Sequence, residues 1–255
     1  MINRKTSREI ELMRAAGRVA AKARAIAGSM VKVGATTRSI DKAVYEFIKS
    51  QKAIPTFLGY RDYPANICIS VNNEVIHGIP GSRRLMLGDV VSIDIGATKN
   101  GYIGDCAATF IAGNGSKESE KLVKITRECF YEGLRYAIAG NRVSDISAAI
   151  QNHAELNGFS VVKAWTGHGV GTKLHEAPEV PNFVEKPRKG KDPRLLPGMT
   201  LAIEPMVNVG GADIKVLDDG WTVITADGTN SAHYENTILI TGSEPEILTI
   251  CEEMP

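Results

Sequence analysis

Residues 89–111 read DVVSIDIGATKNGYIGDCAATFI, with two runs of strand-forming residues on either side of a turn signal. The first run, 89–95, is rich in Val and Ile and is followed by turn residues, a pattern typical of a strand. The sequence Lys99-Asn100-Gly101 favours a tight hairpin turn. This stretch therefore predicts an antiparallel hairpin whose return strand covers 102–111.

Four acidic residues interrupt the predicted strands or stand beside them. Asp94 and Asp105 lie on the hairpin, roughly across from each other, where Cβ atoms on one face are ~5 Å apart. Glu204 interrupts an apolar run, and Glu235 opens the last predicted strand. Carboxylates inside apolar strands are costly unless they are neutralised, and these strands contain no strongly basic residue. A salt bridge could account for one of these acids, but divalent cations would neutralise all four.

A set of carboxylate ligands indicates hard or borderline ions such as Mn, Fe, Co or Zn. Two ions ~3.5–4 Å apart can hold and deprotonate a shared water, which then acts as a nucleophile. The four acids therefore predict metal-dependent hydrolysis.

Three of the five histidines are predicted to lie in glycine-rich turns. These are His77 in VIHGIP, His168 in TGHGVG and His175 in LHEAP. Glycines on both sides of His168 would let the backbone approach a site and leave the imidazole uncovered. We interpret these three as site residues. Packing accounts for His153 in a predicted helix, whereas His233 lies near Glu235 but is not assigned to the site.

The remaining sequence predicts helices and strands in an order that repeats. Thr6-Ser7-Arg8-Glu9 has the spacing of a capping box and opens a helix that runs to the turn around Gly34. The other predicted elements are helices at 39–52, 117–139 and 144–156, and strands at 67–71, 159–164, 200–209 and 234–241.

Two pairs of glycines suggest an internal repeat. Gly34 and Gly140 each precede a helix and are 106 residues apart. Gly88 precedes Asp94 by six residues, and Gly198 stands in the same relation to Glu204, at an offset of 110. We expect one domain over 1–255 with two αα-β halves, roughly 34–113 and 140–242, related by a pseudo-twofold axis, although a chance match stays open.

The composition favours an ordinary globular protein. Hydrophobic residues make up 43% of the chain, and 30 Lys and Arg against 29 Asp and Glu leave a net charge of +1, so no nucleic-acid or membrane partner is indicated. No apolar run approaches the ~20 residues that span a bilayer. We expect a cytoplasmic monomer with reduced thiols at Cys68, Cys106, Cys129 and Cys251.

The sequence gives less support to a phosphate-binding loop, a serine nucleophile or a basic docking patch. The glycines at 167–171 lack the Lys-Ser/Thr ending of a phosphate-binding loop, and the chain has no Gly-x-Ser-x-Gly nucleophile motif. The basic, proline-rich stretch 181–197 is expected to be a solvated loop, with a docking patch for the ribosome or another partner as the alternative.

Five segments resemble the type I methionine aminopeptidases, and the resemblance covers nearly the whole chain. They are 68–80, 93–95 with 104–105, 166–171 with 175–178, 203–206, and 233–237. The resemblance implies an α/β (α+β) pita-bread fold, in which helices cover a central curved antiparallel sheet. It also implies removal of the initiator methionine from nascent polypeptides when the second residue is small.

The resemblance further implies two divalent ions, drawn from Co, Mn, Fe, Zn or Ni. Asp94 is similar to a bidentate ligand of one ion, and Asp105 and Glu235 are similar to ligands that bridge both. His168 and Glu204 would complete the shell of the other ion.

The same resemblance assigns catalytic roles. Glu204 would shuttle a proton, and His175 would polarise the scissile carbonyl. His77 would contact the substrate near the scissile amide.

The resemblance also implies an apolar methionine pocket formed by Tyr60, Tyr63, Cys68 and Trp221; plain core packing is the alternative. Phe57 and Leu174 depart from residues common in the family and would change the pocket's shape. Two other functions stay open: a prolidase or Xaa-Pro aminopeptidase, and a non-catalytic binding module on the same fold. The intact ligand set and the helix that opens near residue 6 favour the methionine aminopeptidase.

Overall fold

A computed structural model describes residues 2–184 and 192–251. The described residues form four α-helices: α1 (Ser7–Ser29), α2 (Thr37–Ser50), α3 (Lys117–Tyr136) and α4 (Val143–Leu156). They also form strands β1 (Ile54–Pro55), β2 (Cys68–Val71), β3 (Glu74–Ile76), β4 (Val90–Lys99), β5 (Tyr102–Ile111), β6 (Ser160–Val161), β7 (Thr166–Gly169), β8 (Glu176–Pro181), β9 (Thr200–Ile203), β10 (Met206–Asn208), β11 (Ile214–Val216), β12 (Val223–Thr225), β13 (Ser231–His233), β14 (Glu235–Leu239) and β15 (Glu246–Ile247).

The helix α1 begins with the predicted capping box. The Thr6 hydroxyl accepts a hydrogen bond from the Glu9 amide at 3.4 Å, and the Glu9 carboxylate accepts one from the Thr6 amide at 2.8 Å. The helix ends at Ser29, before the predicted limit near Gly34. The amide of Gly34 instead donates to the carbonyl of Leu85 at 2.7 Å, so this segment belongs to a turn.

The main sheet confirms the predicted central antiparallel arrangement. Its strand order is β1-β4-β5-β14-β9-β7-β8, with β2 paired to β4 and β15 paired to β14. Two three-stranded sheets accompany it, in the orders β13-β10-β6 and β11-β12-β3. The first and second halves of the chain therefore meet where β5 pairs with β14.

The hairpin forms, but its register corrects one expectation. Lys99 pairs with Tyr102, so the loop holds only two residues and not three. As a result Asp94 pairs with Ala107, and Asp105 lies two residues before Ala107 on β5, nearer the turn, where it pairs with Gly96. The prediction that the two acids lie across from each other is wrong; they are diagonal neighbours on one face, ~7–8 Å apart at Cα in a regular sheet.

The predicted strand 200–209 is divided between two sheets. β9 ends at Ile203, and the chain resumes as β10 beside β13 and β6. Pro205 lacks the amide hydrogen that a continuous ladder would need. Glu204 therefore lies at a break between strands. The predicted strand 159–164 is likewise reduced to Ser160–Val161.

Two hydrophobic clusters hold the helices against the sheet. One contains Val44 of α2 with Ile93, Ile95 and Cys106, and the other packs α3 and α4 against the strands of the second half. Because strand side chains alternate between faces, the neighbouring acids of β4 and β5 point away from these helices. The sheet thus has a covered apolar face and an acidic face.

The two turns that precede α2 and α4 have the same hydrogen bonds. The amide of Gly34 donates to the carbonyl of Leu85, and the amide of Gly140 donates to the carbonyl of Leu195 at 2.9 Å. The reverse bonds, from Leu85 to Ala35 and from Leu195 to Asn141, are also present. These pairs differ by the offsets of 106 and 110 residues that the sequence shows.

Several other expectations can be compared with the structure. All four cysteines are free thiols, as predicted. In the described part of the chain, no helix has both the length and the apolar character needed to cross a membrane. Within the predicted loop 181–197, residues 185–191 lie outside the described residues.

Candidate metal centre and cleft

Side chains from three strands of the main sheet converge on its acidic face. Asp105 of β5, His168 of β7 and Glu235 of β14 each offer a ligand atom, and these atoms lie within 4.8 Å of one another. All three residues are buried. Nε2 of His168 is also 3.4 Å from Oε1 of Glu204. The arrangement has the donor types of a divalent-metal site.

Three oxygen atoms of this cluster have no hydrogen-bond partner among the described residues. They are Oδ1 of Asp94, Oδ1 of Asp105 and Oε1 of Glu235, and all are buried. Buried polar atoms are normally paired, so each exception needs an explanation. Three orphaned carboxylate oxygens on one face are what a site for a cation requires, and the residues present therefore fit the predicted metals.

Burial also shifts the pKa values of these acids. It raises the pKa of Asp94 to about 7. Burial, followed by the charges of neighbouring carboxylates, holds the pKa values of Asp105, Glu204 and Glu235 well above their usual range. The cluster thus strongly favours bound positive charge, which protons or metal ions can provide.

His168 has a defined tautomer. Its Nδ1 lies 2.9 Å from the Gly169 carbonyl, which can only accept, so Nδ1 carries the hydrogen. Burial, followed by the charge of His175, lowers the pKa of His168 to about 3, so the ring is neutral and Nε2 is unprotonated. Nε2 therefore directs a lone pair toward the Glu204 carboxylate. A cation between these two atoms would relieve the repulsion.

His168 lies within strand β7, which corrects the prediction of a turn. The strand is crowded by its neighbours: a Cβ at Gly167 would be 2.4 Å from the Ala202 carbonyl oxygen, and one at Gly169 would be 2.4 Å from that of Ala177. The glycines thus allow close strand packing around the histidine.

His175 lies beside His168 and is held by Tyr60. The two imidazole centroids are 4.3 Å apart. The Tyr60 hydroxyl lies 2.7 Å from Nδ1 of His175. Burial, followed by the charge of Arg61, lowers the pKa of His175, which favours the neutral ring. If the hydroxyl donates to Nδ1, the hydrogen of the ring is on Nε2.

His77 lies between two tryptophan rings. Its centroid is 5.0 Å from that of Trp165 and 6.1 Å from that of Trp221, both edge to face. Burial, followed by the charge of His175, lowers the pKa of His77 to about 4. Trp165 was not assigned to the site from the sequence. Its position two residues before Gly167, next to the segment that carries His168, was the available signal.

Comparisons with known proteins agree with this chemistry. The profile of Metallopeptidase family M24 matches residues 11–242. The methionine aminopeptidase of Clostridium perfringens is 52% identical over 250 residues, covering 98% of this chain and 99% of that protein. Methionine aminopeptidase 1 of Bacillus subtilis is 51% identical, with coverages of 98% and 99%. The chain belongs to the M24 metallopeptidases, among the methionine aminopeptidases. The resemblance read from the sequence is therefore confirmed.

Solved structures identify the pita-bread fold of this M24 metallopeptidase. The crystal structure of the Thermotoga maritima methionine aminopeptidase superimposes with a TM-score of 0.94 at 42% identity, covering 98% of this chain and 99% of that one. A prolidase from Pyrococcus furiosus has a TM-score of 0.77 at 23% identity, and this chain covers 66% of its length. That second likeness concerns the fold alone.

The four residues predicted to line a methionine pocket pack in one apolar cluster of the metallopeptidase. Tyr63 and Cys68 are buried, and Tyr60 and Trp221 pack against the same cluster. Phe57 and Leu174, the two departures from the family, also belong to it. The Tyr63 hydroxyl donates toward the carbonyls of Ile67 and Gly78, which leaves its ring as the apolar surface.

His233 lies closer to the cluster of acidic side chains than the sequence suggested. It is 2% exposed, and within residues 2–184 and 192–251 its Nε2 has no hydrogen-bond partner. That atom is 3.9 Å from Oε2 of Glu204 and 4.0 Å from Oε2 of Glu235. Its position two residues before Glu235 was the available signal.

Arg24 was also missed, because it acts from the helical side of the sheet. Its Nη1 donates to the carbonyl of Ala107 on β5 at 3.2 Å and to the carbonyl of Glu235 on β14 at 2.9 Å. It also donates to Oδ1 of Asn236 at 3.0 Å. One guanidinium thus joins the two strands that carry Asp105 and Glu235.

Proposed function

We propose that this M24 metallopeptidase removes the amino-terminal methionine from nascent proteins when the second residue is small. The observation that carries the proposal is the convergence of orphaned carboxylate oxygens with the unprotonated Nε2 of His168. Its support is the 52% identity to a methionine aminopeptidase over nearly the whole chain.

Asp94, Asp105, His168, Glu204 and Glu235 would hold two divalent ions. Asp94 would be a ligand of one ion, His168 and Glu204 would be ligands of the other, and Asp105 and Glu235 would be ligands of both. Glu235 pairs with Ala107, two residues from Asp105 on the neighbouring strand, which supports a shared position for these carboxylates. When bound, the ions would supply a water of lowered pKa as the nucleophile and hold the substrate's free amino group.

His175 provides the donor for the carbonyl oxygen of the scissile bond. In this role the Tyr60 hydroxyl, which lies 2.7 Å from Nδ1 of His175, would donate to that nitrogen, so the remaining ring hydrogen would be on Nε2. A fixed donor aimed at the oxygen stabilises negative charge as it develops in the transition state. His77 contacts the substrate near the scissile amide.

Glu204 moves the proton. Its carboxylate would accept a proton from the water and deliver it to the leaving amine. Its position at the end of β9, next to Nε2 of His168, supports this role.

The apolar cluster of Tyr60, Tyr63, Cys68 and Trp221 would receive the methionine side chain. Trp221 packs edge to face on Tyr63, with centroids 5.0 Å apart, and also contacts His77. The side-chain pocket would thus adjoin a histidine that contacts the scissile amide. Phe57 and Leu174 adjust the shape of this pocket.

The remaining assignments concern the organisation of the chain and its setting. We propose one domain over 1–255 with related halves at 34–113 and 140–242, which the matching turn hydrogen bonds support. The enzyme works in the cytoplasm as a monomer, on emerging polypeptide amino termini, with transient contact to the ribosome. No membrane or nucleic-acid partner is proposed.

A peptide assay tests the function. Purified protein is stripped of metal, reloaded separately with Co, Mn, Fe, Zn or Ni, and given Met-Gly-Met, Met-Leu-Met and an Xaa-Pro peptide. We expect metal-dependent release of methionine, faster from Met-Gly-Met than from Met-Leu-Met. Cleavage confined to the Xaa-Pro bond would instead assign a prolidase-type activity. Stoichiometric metal binding with no turnover of any peptide would indicate a binding module.

A further inference from the structure

A buried ion pair lies outside the metal cluster, beside the segment that carries His175. Nζ of Lys5 is 2.7 Å from Oε2 of Glu176, and the two side chains are only 5% and 7% exposed. Buried charges are retained at a cost unless further hydrogen bonds satisfy them. Glu176 directly follows His175, the proposed carbonyl donor, so the pair is joined to the active site through one peptide bond.

The Glu176 carboxylate organises the turn that leads to His175. Its Oε1 accepts from the amides of Thr172 at 3.1 Å and Lys173 at 3.3 Å. Its Oε2 accepts from Lys5 and from the Asn3 amide group at 3.4 Å. One carboxylate thus holds both backbone amides of this turn while Lys5 neutralises its charge.

The turn also packs closely against the ion pair. A Cβ placed on Gly171 would be 2.5 Å from Oε1 of Glu176 and 2.6 Å from Nζ of Lys5. The carbonyl of Gly171 accepts from the amide of Ile103 at the end of the hairpin. The turn is therefore fixed on one side by the sheet and on the other by the pair.

Lys5 itself is fixed by its backbone. Its amide donates to the carbonyl of Gly198 at 2.7 Å, and Nε of Arg4 donates to the carbonyl of Pro197 at 2.8 Å. The next residue, Thr6, caps α1. The segment before the helix thus holds the ammonium group in place beneath the turn.

We propose that Lys5 is a positioning residue for His175, acting through the Glu176 carboxylate. The inference rests on the proposed function, in which His175 donates to the scissile carbonyl. Lys5 keeps Glu176 in place, Glu176 keeps the 172–173 amides in place, and the turn then directs the His175 ring toward Tyr60 and the substrate.

Replacing Lys5 by Met keeps most of the side-chain volume but leaves a buried carboxylate without its cation. The turn should shift so that water can solvate the Glu176 carboxylate, which would displace His175. Small displacements of a catalytic group lower the rate strongly. We expect kcat to fall by about ten-fold while KM changes by less than about two-fold, because the donor acts mainly in the transition state. Lys5→Arg retains the charge and should recover most of the loss.

A control ion pair is available on the helix that follows Lys5. Arg14 of α1 forms an ion pair with Glu246 at 2.6 Å; the two side chains are more exposed, at 31% and 36%, and neither residue is assigned to the site. Arg14→Met should leave kcat and KM unchanged. A similar loss of kcat in both variants would show that any broken ion pair slows the enzyme, which would overturn the positioning role.

A double-mutant cycle separates positioning from general stability. If Lys5 acts through His175, Lys5→Met should lower kcat in the wild type and have no further effect in His175→Ala. A loss that persists in the His175→Ala background would overturn the inference. If Lys5→Met does not fold, Glu176→Gln provides the same cycle, since it removes the charge but keeps the side chain's shape.

The outcomes also distinguish this inference from the proposed function. If His175→Ala itself leaves kcat unchanged, the assignment of His175 as the carbonyl donor fails. If His175→Ala lowers kcat but neither Lys5→Met nor Glu176→Gln does, the catalytic assignment stands and the positioning role of Lys5 fails.

Discussion

Two buried carboxylates of this chain, Glu176 and Asp105, are treated in opposite ways by their surroundings. Glu176 accepts hydrogen bonds from two backbone amides and an ammonium group. Burial alone would raise the pKa of Glu176, but these bonds lower it overall. Asp105 has an orphaned oxygen, and burial with the charge of Asp94 holds its pKa well above the usual range.

The difference identifies what each acid is for. Asp89, only 8% exposed, resembles Glu176: it accepts from the side chain of Asn72 at 2.9 Å and from the amide of Met86 at 2.8 Å. A carboxylate neutralised or saturated by its own chain stabilises the fold. A carboxylate left without partners, among others like it, provides a site for a cation from solution.

The largest expected effect comes from removing an acid that has an orphaned oxygen. Asp105→Ala should abolish metal loading at the shared position and lower kcat/KM by about a thousand-fold or more, equivalent to about 4 kcal/mol of transition-state stabilisation. Metal content per protein and turnover of Met-Gly-Met measure both effects. A variant that keeps full activity would refute the bridging role of this residue.

Removal of the metal should lower the thermal stability of the wild type more than that of a variant that lacks a metal ligand. Ligands that bind only the folded state at 100 times their Kd stabilise it by about 2.7 kcal/mol. For a chain of this size we expect a chelator to lower Tm by about 5–10 °C. The chelator should lower the Tm of Asp105→Ala much less than that of the wild type. An equal fall in Tm in both proteins would show that the stabilising ion binds somewhere other than this site.

A smaller effect is expected behind the cluster, at Arg24. Arg24→Met removes the donor shared by the Ala107 and Glu235 carbonyls, which loosens the seam between β5 and β14. Loss of such an outer partner weakens metal affinity by about 10-fold. Titration calorimetry of the metal-free protein would measure this, and Arg24→Lys should be intermediate. Unchanged affinity in Arg24→Met would confine Arg24 to packing.

The smallest effect on catalysis is expected from an acid that the chain satisfies itself. In Asp89→Asn the side-chain amide would face the Met86 amide as a second donor, at a cost of about 1–3 kcal/mol. We expect a lower Tm with metal content and kcat unchanged. Loss of metal from this variant would contradict the division between the two kinds of carboxylate.

Local sequence patterns predicted the elements that depend on near neighbours. The capping box at Thr6 and Glu9 and the hairpin at 89–111 both form. The hairpin register was mispredicted because it depends on whether Lys99 enters the turn or the ladder; Lys99 enters the ladder, so Asp94 pairs with Ala107 and not with Asp105. The break at Pro205 was missed because the apolar pattern continues through it into another sheet.

Partners that are distant in sequence could not be predicted. Lys5 meets Glu176 across 171 residues, and Arg24 meets the Glu235 carbonyl across 211. Neither basic residue belongs to a motif, and each is an ordinary helix-flanking or helical cation when viewed in the sequence. His77, just after β3, and Trp165, just before β7, likewise become neighbours only when the chain folds.

The sequence by itself determined the acids and histidines available for chemistry, the strands that carry them and the family to which they belong. It could do so because side-chain alternation and turn formation depend on adjacent residues. Only the tertiary structure decided which carboxylates find a partner in their own chain and which remain unpaired. That distinction depends on burial and on distances through space, which contiguous sequence does not encode.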